Sequence, residues 1–62
     1  MQHSALEKHR EAMREVAYRN QVYERLIQAQ KMSRSEALRK ISIMQEIADE
    51  YRELADKERL PL

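Results

Sequence analysis

The stretch "QAQKMSRSEALRK", residues 28–40, decides how this chain folds. The sequence is helical in character on both sides of it, so the choice is between one long helix and two. Ser33 stands three residues before Glu36. That is the spacing of a capping box: the serine oxygen accepts a first-turn N–H, and the glutamate reaches back to the serine N–H. A cap of this kind is typically worth about 1 kcal/mol. The same signature opens the chain, where Ser4 precedes Glu7 in "SALE". Each cap opens a periodic segment. The expected single domain, residues 1–62, therefore has a helix over about 4–31, a turn at about 32–33, a helix over about 34–59 and a tail at 60–62. Pro61 disfavours helix at the residue before it, which places the second stop near Arg59. The chain has no glycine, so the turn is expected from residues in ordinary backbone regions.

Composition supports helices throughout. The 62 residues include no glycine, one proline and 37% charged side chains of both signs, with a net charge of +1. Absence of cysteine excludes disulfides and thiolate metal sites. His3 and His9 fall on opposite faces of a helix and cannot clamp one metal as an i, i+4 pair does. No cofactor is expected. No apolar run approaches the roughly 18 residues of a membrane span, and "MQHSALEKHRE" lacks the apolar segment of a signal peptide. The expected setting is cytoplasmic, away from membranes. A chain this short buries a small fraction of its surface. Without disulfides or metal, self-association is the remaining way to stabilise it.

Both segments carry ladders with alternating spacings of three and four. The first runs Leu6, His9, Met13, Val16, Asn20, Tyr23, Ile27 and Gln30, flanked by Ala5, Ala12 and Leu26 on one side and Ala17 on the other. The second runs Ala37, Ile41, Met44, Ala48, Tyr51 and Ala55, widened by Leu38, Ile47 and Leu54. A sustained 3.5-residue repeat predicts coiled-coil-like packing. Leu6, Met13, Val16, Asn20, Tyr23, Ile27, Ile41, Met44, Ala48 and Tyr51 are the expected core or dimer seam, with Asn20 setting register. Stripes wider than one seam imply more than one neighbour. The expected fold is all-α: an antiparallel two-helix hairpin that dimerises into a four-helix bundle.

Charge is uneven. Residues 8–40 carry nine Lys or Arg against four Glu, a local +5, whereas residues 41–62 carry six acids against three bases, a local −3. Arg25, Lys31, Arg34, Arg39 and Lys40 gather near the turn and are the candidate nucleic-acid or anion contacts, aided by the N-terminus of the second helix. No aromatic residues interleave with them. "KMSRS", Lys31 to Ser35, resembles the KMSKS signature loop of class I aminoacyl-tRNA synthetases as a string. Here it has neither a HIGH-type histidine motif nor a strand–helix unit beside it, so that activity is not expected. Nor are the nucleophile, base and pocket of an enzyme in evidence. Tyr18, Ile43, Leu60 and Leu62 lie off the seams and are the candidate contacts for a larger protein. The leading expectation is a small protein–protein interaction module, a regulator or adaptor of the kind suited to a bacterial or phage accessory protein. The alternative is an RNA- or DNA-binding hairpin.

Overall fold

The computed structural model describes residues 2–59, and of Arg59 only the backbone. Two helices, α1 (Ala5–Gln28) and α2 (Arg34–Arg59), pack against each other as a hairpin. At 1.5 Å per residue they are roughly 36 and 39 Å long. The molecule measures 51 × 18 × 15 Å, with a radius of gyration of 14.5 Å. A compact chain of this length would have about 11 Å. A rod only one helix pair thick has no interior beyond the seam where the helices meet. The tail 60–62, with Leu60, Pro61 and Leu62, lies outside the described residues.

The two helix starts differ. At α1 both arms of the capping box form: Ser4 Oγ accepts from the Glu7 N–H at 3.1 Å, and Glu7 Oε1 accepts from the Ser4 N–H at 3.2 Å. The Ser4 N–H and, at 3.3 Å, the Ser4 hydroxyl both donate to the Glu7 carboxylate and hold it below its ordinary pKa, the backbone bond contributing most. At α2 Ser33 Oγ accepts from the Glu36 N–H at 3.1 Å. The Glu36 carboxylate pairs instead with Lys40 at 3.5 Å, one turn on.

The turn corrects an expectation. Gln30 has φ 60°, in the left-handed region that favours glycine, so the turn does not stay within ordinary backbone regions. Helix α1 also ends at Gln28, earlier than its periodicity suggests. The hydrogen bonds supply the reason. Lys31 N–H donates to the Leu26 carbonyl at 2.8 Å, and Gln30 N–H to the Ile27 carbonyl at 3.0 Å. That pattern is a Schellman motif, which satisfies carbonyls a helix end otherwise leaves unpaired. Two such bonds offset a left-handed conformation costing about 1–2 kcal/mol.

Small residues fill the seam. Among the described residues, Ala5, Ala12 and Val16 of α1 and Ala37, Ala48 and Ala55 of α2 are the buried apolar ones. None is larger than valine. Alanines let two helices approach closely, since the distance between axes follows the side chains at the contact. Half-buried Ile41, Met44 and Tyr51 complete the α2 row expected from sequence. On α1 the burial is turned by one position. His9, Val16 and Tyr23 of the ladder point inward, together with Ala5, Ala12, Arg19 and Leu26. Leu6 and Ile27 are half-buried at the edge, and Met13 and Asn20 are exposed.

Two polar ties cross the seam. The Ala48 carbonyl can only accept, so His9 Nδ1 carries the proton in their 2.7 Å hydrogen bond. Arg19 Nη1 donates to the Lys40 carbonyl at 2.9 Å while its Nε holds Glu15 at 2.9 Å. His9 precedes Arg19 along α1 while its partner Ala48 follows Lys40 along α2, so the two ties run in opposite order and define the antiparallel course.

Candidate protein-binding surface

A hairpin closed on alanines leaves several of its larger apolar residues exposed or only half-buried at its edges. They divide between two flanks. The first lies along the inward ladder of α1 and contains Leu6, Met13 and Ile27, with Leu38 of α2 opposite. Polar groups interrupt its middle. Gln45 Nε2 approaches Met13 Sδ at 3.6 Å, and Asn20 Nδ2 donates back to the Val16 carbonyl at 2.9 Å. Near the turn Asn20, Tyr23, Ile27, Leu38 and Ile41 line a small concavity.

The second flank lies on the outer side of α2. Ile43, Ile47 and Leu54 remain 45%, 37% and 39% exposed. Separations of four and seven residues bring all three to one face of the helix. Half-buried Tyr51 adjoins them, and the Lys8 ammonium lies over its ring, 5.5 Å from the centroid. A shallow groove is lined by Ile47, Glu50, Tyr51, Glu53, Leu54 and Lys57. Three apolar and three charged side chains share its lining.

The residues singled out from sequence are not all gathered here. Ile43 belongs to the outer α2 flank. Tyr18 is exposed on α1 beside Glu11, Arg14 and Glu15. Leu60 and Leu62 lie outside the described residues. Among the expected seam residues, Val16 and Ala48 are buried, whereas Leu6, Tyr23, Ile27, Ile41, Met44 and Tyr51 are half-buried. Sequence reasoning treated Ile43 as isolated and assigned Ile47 and Leu54 to the margin of the inner stripe. The missed signal is a second ladder on α2: Glu36, Lys40, Ile43, Ile47, Glu50, Leu54 and Lys57 alternate spacings of four and three.

The basic residues do not form one surface. Arg34 turns to Glu24 of α1 at 4.0 Å, and Lys40 is held by Glu36 at 3.5 Å. Arg25, Lys31 and Arg39 are exposed. At 3.6 residues per turn, Arg39 is about 140° from Arg34 around α2. His9, Asn20 and Gln30 are likewise apart: one ties the helices, one bonds its own helix, and one forms the turn.

Among the described residues no group of three or more His, Cys, Asp or Glu is placed to hold a metal ion. Among the same residues no helix is long and apolar enough to cross a membrane. No family model matches the chain, and comparisons with curated proteins and with solved structures find no match. The functional argument therefore rests on the surface itself.

Proposed function

We propose that this chain is a small, non-enzymatic protein–protein interaction module, a cytoplasmic regulator or adaptor that works as a coiled-coil-like homodimer. One observation carries the proposal: three large apolar residues, Ile43, Ile47 and Leu54, stay partly exposed and aligned along one face of α2. Ile43, Ile47 and Leu54 each keep about two fifths of their surface in water. Full burial of such a side chain is worth roughly 1.5–3 kcal/mol, so covering the exposed part of each contributes on the order of 1 kcal/mol. Association at that face stabilises a hairpin whose buried described residues are five alanines and one valine. A larger protein can then dock on the flank the dimer leaves open.

Solution mass tests this reading. The expected result is a mass above the 7.5 kDa chain, unchanged by a mixed RNA and DNA pool, that falls when apolar flank residues are replaced by aspartate. A folded monomer with no protein contact sensitive to those replacements defeats it. A mass that shifts onto nucleic acid at low salt and releases it as salt rises supports the alternative, phosphate binding at the basic turn end.

A further inference from the structure

We infer that this hairpin opens at its turn and exchanges helices with a second copy: each chain becomes one continuous helix, and the two chains lie antiparallel. The inference goes beyond the reading above, because it uses the seam and the turn and leaves the outer flank of α2 uncovered. The first support is the phase of the two inward ladders. The first ladder ends at Gln30 and the second begins at Ala37. Arg34 stands four residues after the one and three before the other, so the alternation passes through the turn without a break. A turn can join two helices at any heptad offset, and only a continuous helix requires this one. The buried residues agree. Ala12 and Ala48 are 36 residues apart, about ten turns at 3.6 residues per turn, and Ala5, Ala37 and Ala55 fall within about 20° of the same line. One straight helix therefore carries both halves of the seam on one side.

The turn provides the second support. It holds Gln30 at φ 60°, a strained conformation for a residue with a Cβ, and short strained hinges invite exchange. Residues 28–34, "QAQKMSR", contain neither glycine nor proline, and all but Ser33 are strong helix formers. Opening gives up the Ser33 cap and the two bonds that close α1. A continuous helix replaces them with its own backbone bonds and returns Gln30 to the right-handed region.

The seam contacts are the third support. His9 with Ala48, Met13 with Gln45, Arg19 with Lys40 and Glu24 with Arg34 meet across the hairpin, and the residue numbers of each pair sum to between 57 and 59. In two straight antiparallel helices, a two-fold axis beside Ala29 pairs residues of nearly the same sum. Each contact therefore re-forms between copies, once on either side of the axis. The residues nearest the axis are Gln28, Ala29 and Gln30, none of them charged, so like charges do not meet there.

Length separates the two states. The chain is refolded from urea at rising concentration, its species are separated by size, and each is measured by small-angle X-ray scattering. The expected result is a two-chain species about 80 Å long, the span of residues 5–59 as one helix, beside a hairpin of 51 Å. Connectivity is read with Met13→Cys and Gln45→Cys in one chain, which has no other cysteine. A short bismaleimide should join the two-chain species chain to chain and the hairpin within itself. Gln30→Gly should lower the two-chain fraction roughly tenfold, because glycine accepts φ 60° in the hairpin and weakens a continuous helix. Gln30→Ala, which keeps the strain and favours helix, should not. A two-chain species near 51 Å long, or one cross-linked only within each chain, overturns the exchange and leaves side-by-side association standing. A single-chain species at every concentration also overturns it. So does an equal two-chain fraction in the glycine and alanine variants.

Discussion

Helix α2 presents two ladders with the same spacing and opposite contents. The inner one, Ala37, Ile41, Met44, Ala48, Tyr51 and Ala55, places its three alanines in complete or nearly complete burial. The outer one places isoleucines and a leucine in water. Hydropathy alone would assign the interior to the larger residues. The hairpin instead gives full burial to the alanines, which let the helices approach, and leaves Ile41, Met44 and Tyr51 of the same row half-buried. Full burial therefore goes to the smallest residues, and the large ones divide between half-buried positions on the inner row and exposed positions on the outer one.

The most damaging way to break that contrast is to swap the two kinds of row. Ala48→Leu forces a branched side chain into a site with no free volume, and overpacking of this type costs about 1–3 kcal/mol. Urea unfolding should show that loss in the midpoint. One position away, Ile47→Ala removes a side chain already two fifths exposed, so it should cost a dilute, monomeric hairpin less than Ala48→Leu does while weakening association. Comparable losses at the two positions would mean that the rows do not divide the work.

The polar ties come next. His9→Ala removes the bond to the Ala48 carbonyl, and Arg19→Ala the bond to the Lys40 carbonyl. Each should destabilise the hairpin by about 1 kcal/mol, the usual net value of an intramolecular hydrogen bond, and their effects should add because they lie far apart. Thermal unfolding of the two single variants and the double variant checks this. Gln30→Gly is smaller and of opposite sign. Glycine tolerates φ 60° without steric cost but loses more freedom on folding, so the expected net gain is about 0.5 kcal/mol. No gain would mean that the turn relaxes when α1 is in solution.

The smallest effect compares the two caps. Glu7 has a depressed pKa from its bonds to Ser4, so its contribution is present above the unfolded-state value and is lost as pH falls through the folded-state value. The first turn of α1 should fray on acidification from neutral pH, beginning where ordinary carboxylates protonate and completing below that. Glu7→Gln should flatten this response. Amide exchange of the first-turn residues reports it directly, and an equal acid response in the variant would assign the fraying elsewhere.

Much of this architecture was legible in the chain. The two Ser–Glu signatures locate both helix starts, because capping is a local interaction over four residues. The ladder of α2 identifies its inward face, because helical periodicity follows from bond geometry. The left-handed Gln30 was not legible. Nothing local prefers that conformation in glutamine, and only the returning helix requires a turn this tight. The rotation of α1 was hidden for a related reason. Leu6 and Met13 are more apolar than Ala5 and Ala12, yet closeness of approach selects the smaller residues, and closeness is a property of two helices together.

The sequence by itself determined that this chain makes two helices with a break near Ser33, since helix propensity, capping and periodicity act within a few residues. Only the tertiary structure decided which residues lie between those helices and which remain outside. That choice depends on the distance between the backbones. Here the distance is short, so alanines close the hairpin and Ile43, Ile47 and Leu54 are left as its surface.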